Sequence, residues 1–544
     1  MLFKSLASFI NYHPFTMLDG ATAPYPAFSF ERMKINTSIL FSTLMFYSLL
    51  LPAQKEDNTW LLGGVASPDS AYKTCKLEFL EDQIAITYID KNLPFRGVNV
   101  SISDSLGGLL CFTNGKNLFN RAFEIMEGGV NFYPNAEFPS GVSYIQGYTL
   151  LPYPDGYNKV AYIYGTPKVV EAPVPGGYTV GYINLKYAIA DLNQNGGLGL
   201  VTQRDITVST DTLMPTQFTA IRHGNGRDWW LLAPYHLGNR FYRFLLDSDG
   251  LHQVGKQDIS TTDLGLGHTC FSPDGQWYAR FNWPGVVPDS SFSVIELYRF
   301  DRCSGLLSDR VSKTYDLSGL NGKPGGTAFS PNSRFLYVTR WDSVFQYDLH
   351  ATDIIASEQV VAVYDGFIAE PGFPTRFFYP LLAPDNKIYI CVSNYNSPFL
   401  HTIENPDEPG LACNVQQHSV RLPVFNNFLL PNMPYYRLWE WEDSPCDTLG
   451  SVAVKEVSPE KNTGFTVYPN PAGTVVNIAF AQPIATECTL SLISPTGQVL
   501  YSQTVGAGGS SLSLPVHQFA NGFYYLRLRS DRQPDAYQKL SIVH

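Results

Sequence analysis

The stretch Phe271-Ser272-Pro273-Asp274-Gly275-Gln276-Trp277-Tyr278-Ala279 constrains this chain more than any other. An alternating run enters it, a Pro-Asp-Gly turn breaks it, and a second alternating run leaves it. Two antiparallel strands joined by a tight turn are written this way. The pattern returns as Phe329-Ser330-Pro331-Asn332-Ser333-Arg334-Phe335-Leu336-Tyr337-Val338 and as Leu382-Ala383-Pro384-Asp385-Asn386-Lys387-Ile388-Tyr389-Ile390. A fainter copy is Leu430-Pro431-Asn432-Met433-Pro434-Tyr435-Tyr436. The four prolines, at 273, 331, 384 and 431, lie 58, 53 and 47 residues apart.

A period in that range, with strands and no helical pattern between, is the mark of propeller blades. Inner strands are expected to open near Asn99, Gly147, Thr219, His268, Thr327 and Tyr379, each followed by a turn and a strongly apolar second strand such as Leu109–Phe112, Val160–Ile163 or Trp229–Leu232. Third and fourth strands are clearest at Ser293–Phe300 and from Leu306 to Leu317. That makes six complete blades. Leu430-Pro431-Asn432 then offers an inner strand with nothing after it. Thr59–Gly64 and the run from Cys75 to Asp90 offer outer strands with no inner one before them. Joined in one sheet, these ends would complete a seventh blade and leave no long free edge. Seven blades over residues 55–442 is about 55 residues each, close to the repeat. The expectation is an all-β, seven-bladed β-propeller, with six blades as the alternative.

The Phe-Ser-Pro-Asp-Gly and Phe-Leu-Tyr-Val runs resemble lactonase-like and surface-layer YVTN propellers, and more loosely WD-repeat propellers. The likeness is to the blade and not to an active site. Ile102–Gly115 and Ile125–Gly129 look like exported Bacteroidetes propellers of unassigned function.

Both ends speak of export. Met33-Lys34-Ile35-Asn36 and the short apolar run from Ile39 to Leu51 have the form of a secretory signal peptide, too short for a stable membrane span. The expected start is therefore Met33, with residues 1–32 an upstream extension lacking repeat or charge logic. Cleavage is expected near Ala53 or Gln54, and no Cys follows the apolar core as a lipoprotein would need. Residues 443–464 are polar and irregular, a linker. From 465 the style changes to six or seven short alternating strands with Gly and Pro turns, a small Ig-like β-sandwich. Tyr468-Pro469-Asn470-Pro471, the Gly497 turn, Asn521-Gly522-x-Tyr524 and the Lys539-Leu540 ending closely resemble the C-terminal sorting domain of the type IX secretion system of Bacteroidetes. The resemblance covers residues 465–544 only. It implies reading by the outer-membrane translocon, cleavage by its sortase-like peptidase, and a protein that passes the periplasm to be secreted or attached to the outer-membrane surface.

Composition bounds the chemistry. Charged residues are 16% of the chain, against roughly 25% in ordinary soluble proteins. The formal net charge is −11, and no basic cluster is long enough to track a phosphate backbone, so nucleic acid is not an expected partner. The 8 cysteines include no Cys-x-x-Cys pair, so no zinc ribbon or thioredoxin site is written here. Cys111, Cys270 and Cys391 sit in apolar strand runs and read as buried thiols. Cys75, Cys303, Cys413 and Cys446 lie in turns or linkers and are the candidates for disulfides in an exported chain.

No Gly-x-Ser-x-Gly elbow, His-Glu-x-x-His, Walker loop or dinucleotide Gly-x-Gly-x-x-Gly is present. Asp191-Leu192-Asn193-Gln194-Asn195-Gly196 resembles half a calcium loop, but Thr202 stands where a bidentate Glu is needed, so a strand turn is the better reading. Asp247–Gly250 and Asp301–Gly305 read as hairpin turns, and Trp229-Trp230 as strand neighbours with at least one ring in the core. The candidate site is a channel mouth formed by Arg222, His223 and His268, where two histidines from adjacent blades would meet. Two functions remain. One is a surface or secreted propeller binding an extracellular glycan, peptide or protein. The other is a lactonase- or lyase-like propeller enzyme, for which a channel metal stays open; no cofactor is otherwise expected, and no membrane helix in the mature chain.

Overall fold

The computed structural model describes residues 54–63, 67–80, 83–91, 93–95, 97–132, 144–154, 158–171, 178–236, 238–259, 265–284, 292–316, 324–394, 396–428, 430–441, 444, 446, 465–480, 482–494, 499–530 and 533–544. The expected extension, nearly all of the signal peptide, most of the linker, and Gly497 lie outside the described residues.

The repeat turn forms as its residues dictate. In Ser272–Trp277 the Ser272 hydroxyl accepts from Trp277 N at 3.0 Å, and Asp274 Oδ1 accepts from Gln276 N at 3.0 Å. Ser330 and Asn332 repeat both bonds, to Phe335 N and Arg334 N, each at 2.9 Å. The fourth turn position needs a positive φ: Gly275 has +72°, Ser333 +61° and Asn386 +63°. Gly and Asn adopt that region most readily, and Ser333 takes it up in the second copy.

These turns join the first two strands of successive antiparallel meanders. Sheet I holds Thr59–Gly63, Thr74–Phe79 and Ile84–Ile89; sheet II holds Val100–Ser103, Leu109–Thr113 and Leu118–Asn120. Sheet III is Tyr148–Pro152, Lys159–Glu171, Tyr178–Asp191 and Leu200–Ser209, and sheet IV is Thr219–Arg222, Trp229–Pro234, Arg240–Asp247 and Gly250–Asp258. Sheet V runs Gly265–Phe271, Trp277–Pro284, Phe292–Asp301 and Leu306–Asp316. Sheet VI runs Gly325–Phe329, Phe335–Arg340, Ser343–Asp348 and Gln359–Val363, and sheet VII runs Phe377–Leu382, Ile388–Val392, Ser397–Ile403 and Val415–Asn426. All six inner strands expected from the sequence are first strands here.

The sheets pack face to face in chain order. One core joins Val100, Tyr148, Leu150, Trp229 and Leu231 of sheets II, III and IV. Trp230 and Phe241 meet Phe271 and Tyr278, Phe281 meets Leu336, and Tyr337 meets Ile390, carrying the contact through sheets V, VI and VII. Trp60 and Leu77 then pack with Tyr389 and Leu400, so sheet VII lies against sheet I, and Phe112 of sheet II shares that core. The result is a propeller-like, all-β architecture.

The joining of the ends differs from expectation. Leu430-Pro431-Asn432 forms no ladder with the strand containing Trp60. The chain does run antiparallel beside that strand, tied at Asn427 N to Gly63 O at 3.1 Å and at Arg437 to Asp57 at 2.8 Å. Pro431 and Pro434 have no N–H to donate, so the segment cannot propagate a strand. It descends through the middle of the molecule instead. Asn432 Nδ2 donates to Tyr148 O at 2.8 Å and Phe218 O at 3.1 Å, and Tyr436 OH to Leu150 O at 3.2 Å. The Tyr436 ring stands edge-on to Trp229, centroids 5.7 Å apart, and is fully buried. Past Leu438, Trp441 N reaches Gly224 O at 2.7 Å and Cys446 is bonded to Cys303. Of the four candidate cysteines only these two pair; Cys75 and Cys413 are buried thiols. Closing a separation of 143 residues restricts the unfolded chain by on the order of 5 kcal/mol in the chain-entropy account.

The tail holds two further sheets. Phe465–Tyr468, Val475–Phe480 and Ser511–Pro515 form one; Cys488–Ile493, Val499–Val505, Gly522–Ser530 and Gln533–Ile542 form the other. They share a single core that includes Phe465, Ile478, Leu490, Leu526 and Leu540.

If the central segment is integral to the packing, Tyr436→Ala should cost about 3–5 kcal/mol, the penalty for emptying a buried aromatic site, and Tyr436→Phe only about 1 kcal/mol for its hydrogen bond. Denaturant unfolding of the secreted protein measures both. Equal, small losses would show that the segment is merely draped on the surface.

Candidate functional site

The structure separates the three residues expected at the channel mouth. Arg222 ends the first strand of sheet IV, and His223 lies in the turn that follows. The Arg222 guanidinium lies 4.3 Å from the Trp229 ring and donates to Gly226 O at 3.0 Å. His223 Nδ1 accepts from Asn225 N at 3.1 Å, so Nε2 carries the proton given to Cys303 O at 3.2 Å. Burial holds its pKa below the usual histidine value. Arg302 clamps the same turn, donating through Nε to Arg222 O and through Nη2 to His223 O, both at 3.0 Å. Gly224 has to be glycine, because a Cβ there would sit 2.4 Å from Cys446 Sγ.

His268 lies upstream along the first strand of sheet V. Its neighbour Gly267 faces the Gln217 amide, whereas Ile221 meets Phe271. His268 is thus level with residues four positions before Arg222, a distance of about 13 Å at 3.3 Å per residue. It is 6% exposed, stacks on Tyr379 at 5.0 Å between centroids, and accepts from Thr327 N through Nδ1 at 3.3 Å. It lines the central cavity with Gln146, Thr269, Thr327, Tyr379 and Asn432. Gln146 crosses that cavity, its amide pairing with Thr269 N at 2.9 Å and Thr269 O at 2.8 Å. With the descending segment in place, the free volume is only about 70 Å³.

Other sequence readings resolve simply. Trp229 and Trp230 are both buried, and Trp230 Nε1 donates to Arg302 O at 2.7 Å. Asp191, Asp247 and Asp301 each accept a backbone N–H two residues on, at 3.0, 2.8 and 2.9 Å, as turn residues do. Cys111 and Cys391 are buried and Cys270 is half-buried; burial pushes all three thiols up to about 12. Among the described residues no group of three His, Cys, Asp or Glu is placed to hold a metal ion.

The larger opening lies elsewhere, with a volume of about 350 Å³. It sits where the first strands of sheets II and III end, between their hairpin turns, and Glu56, Ser103, Arg121 and Lys159 are among its walls. Glu56 N-terminal to sheet I arrives there because its carbonyl accepts from Ser103 N at 2.8 Å. Burial raises the pKa of its carboxyl, opposed by the charges of Arg222 and Arg437. Beside it, burial raises Asp57 to about 6 against the Arg437 ion pair. Nothing in the sequence distinguished Glu56-Asp57 from solvated residues near a chain end. Only the return of the segment at 430–441 makes them interior.

In the tail, Asn470 acts as a bracket. Its Nδ2 donates to Lys539 O and its Oδ1 accepts from Ser541 N, both at 2.8 Å. Ala472 N to Ser541 O at 2.8 Å and Val543 N to Ala472 O at 3.0 Å continue the join. Tyr524 OH donates to Ala520 O at 2.8 Å, and Lys539 lies 4.4 Å from the Phe523 ring. The Tyr468–Pro471, Gly522–Tyr524 and Lys539 elements, far apart in sequence, meet around the last strand.

These features define a propeller-like all-β protein carrying a sorting tail. Residues 466–543 match the family described as the secretion system C-terminal sorting domain. That domain implies export by the type IX secretion system, to the medium or the cell surface. No curated protein matches the chain. Among solved structures it is similar to a putative 6-phosphogluconolactonase from Bacteroides uniformis, at 14% identity and a TM-score of 0.43, over 69% of this chain and 99% of that one. It is also similar to a functionally unknown protein from Desulfotomaculum acetoxidans, at 14% identity, a TM-score of 0.37, and 69% and 99% coverage. TolB from Acinetobacter baumannii follows at 11% identity, a TM-score of 0.29, and 72% and 73% coverage. Among the described residues no helix is long and apolar enough to cross a membrane.

The state of His268 can be checked through pH. Burial lowers its pKa to about 3, so the folded protein keeps it neutral while the unfolded chain titrates near 6.5. Its contribution to stability is complete above about pH 6.5 and is lost as pH falls toward 3, at up to about 1.4 kcal/mol per pH unit. His268→Gln should flatten the acid side of the melting-temperature profile by one proton. His401, lowered to about 3, and His236, lowered to about 4, add to the same slope, as do His223 and carboxylates such as Asp348, held low by the hydrogen bond from Arg334. An unchanged acid slope in the variant would mean that His268 is solvated.

Proposed function

We propose that the protein is an exported seven-bladed β-propeller that works outside the cell as a binding module, delivered by its type IX sorting tail. In this reading residues 33–54 are the signal peptide, 55–442 the propeller, 443–464 the linker and 465–544 the sorting sandwich. The translocon and its sortase-like peptidase are the tail's partners, and the mature protein is released or held at the surface. The observation that carries export is the match over residues 466–543. Seven meanders, each packed on the next and the last on the first, support the blade count. Binding is favoured over channel chemistry because the central segment fills the axis, His223 spends one ring nitrogen within its own turn and the other on Cys303 O, and His268 stands apart from Arg222.

Cell fractionation tests the destination. In a type IX-competent host the full chain should reach the medium or surface, and a chain lacking 463–544 should remain inside the outer membrane. Equal amounts outside would sink the proposal. Asn470→Ala should weaken the tail by about 1 kcal/mol through its two lost hydrogen bonds and reduce export several-fold. Export at the level of the unaltered chain would show that the bracket plays no part in recognition. The binding reading is tested by thermal-shift assays of the secreted protein with glycans and peptides, alongside lactone hydrolysis. Turnover above the buffer rate would replace a binding module with an enzyme.

A further inference from the structure

The outer edge of sheet I differs from those of its six companions. Among the described residues sheets III to VII each hold four strands, whereas sheets I and II hold three. The last strands of sheets III, IV and V carry charges, among them Arg204, Lys256 and Arg310. Sheet VII ends on a strand with Arg421 and Pro423, and in sheet VI Gln417 donates to Val363 O at 2.9 Å. Charge, proline and covering side chains blunt an edge against further pairing. The third strand of sheet II is covered, since Leu118 N donates to Gly129 O at 2.8 Å and Leu118 O accepts from Met126 N at 2.9 Å. Sheet I ends on Ile84-Ala85-Ile86-Thr87-Tyr88-Ile89, which has none of these devices.

Register determines which backbone groups face outward. Leu80 N donates to Gln83 O at 2.9 Å, so hydrogen bonds close the hairpin at that pair. In an antiparallel ladder, bonded and non-bonded pairs alternate. The register from Thr74↔Ile89 to Phe79↔Ile84 is unbroken, so Ala85, Thr87 and Ile89 bond inward. Phe79 N agrees with this, since it donates away from Ile84, to Asn58 O at 3.1 Å. Ile84, Ile86 and Tyr88 therefore turn their N–H and C=O groups to the open side, where no described residue pairs with them. Tyr88 is 41% exposed. Ile84 and Ile86 pack with Val420 and Leu422 of sheet VII, which holds the strand from one face.

A row of donors and acceptors at strand spacing is matched by another extended backbone. A glycan has no such repeat. A second copy meets two obstacles. Each copy carries a formal net charge of −11, so copies repel and a neutral or basic partner is favoured. Sheet VII, one strand wider, flanks the edge, which suits a single strand better than another globular body. We propose that an extended, neutral or basic peptide segment of another protein adds to sheet I as a fourth strand, pairing with Ile84, Ile86 and Tyr88. β-Branched and aromatic residues at alternate positions of that segment would meet Ile86 and Tyr88 as cross-strand neighbours. The assignment rests on the binding-module reading and names a partner class for it.

Hydrogen exchange and isothermal titration of the secreted protein test it, with a short peptide of alternating Thr and Val flanked by Lys as the probe. The probe should slow exchange of the Ile84, Ile86 and Tyr88 amides about tenfold or more. The same peptide with a central proline should bind at least about tenfold more weakly, a loss of about 1.4 kcal/mol. Ile86→Pro removes an outward N–H and no ladder bond, so it should weaken probe binding about tenfold or more. Should Ile86→Pro fail to fold, Tyr88→Pro, at a more exposed position, decides. No slowing at these three amides with about 1 mM probe, or full affinity in the proline variants, overturns the assignment. A concentration-dependent dimer that Ile86→Pro abolishes also overturns it, giving the edge to a second copy. Probe binding that slows amides elsewhere defeats this inference and preserves the module; lactone turnover with the edge still protected does the reverse.

Discussion

In the seven sheets of residues 59–426 the first strand has a ladder neighbour on one side only, and the fold depends on how its other edge is satisfied. A backbone edge turned to the axis and left bare would cost as much as any unpaired buried polar group. Side chains and a returning segment do the work that a closing strand would do. Gln146 presents its amide to Thr269 as a strand neighbour would, and Asn432 serves the carbonyls of two sheets at once. Ser101 Oγ to Thr59 O at 2.7 Å and Asn427 Nδ2 to Phe95 O at 3.0 Å complete the pattern at the junction of the ends.

That solution has consequences for chemistry. A segment threaded through the centre to satisfy inner edges also fills the space at the axis, where only about 70 Å³ stays free. Tyr436 and Leu438 are core residues as much as any strand residue, and the Cys303–Cys446 bond fixes the segment where it leaves. Arg302, which donates to Trp439 O, and Asp57, which pairs with Arg437, hold the segment on its way. The larger free volume lies to the side instead, between sheets II and III.

The tail follows different physics. Its two sheets need no central closure, and its recurrent motif residues are spent on holding the last strand. Asn470 replaces backbone partners for residues 539–541, while Asn521 Oδ1 receives His544 N at 2.8 Å at the very end of the chain. The final strand and its end are held by side chains from two distant motifs, and among the described residues the tail shares no core with the sheets of residues 59–426.

What the sequence determined by itself was local. The Ser-Pro-Asp-Gly turns, the alternating strands beside them and the change of style at residue 465 are short-range patterns, governed by φ preferences, side-chain-to-backbone bonds and period-two burial. They were legible because each depends only on residues a few positions apart. Tertiary structure decided the rest. Whether Pro431 continues a strand or turns down the axis depends on edges more than 200 residues away, as the Asn432 bonds to Tyr148 and Phe218 show. His223 and His268 look alike beside glycines in sequence, yet one locks a turn and the other lines the cavity, because their neighbours Cys303 and Tyr379 arrive from other sheets. Glu56 reads as a solvated acid until the chain's return buries it. Burial and partner choice are sums over long-range contacts, and no local pattern encodes them.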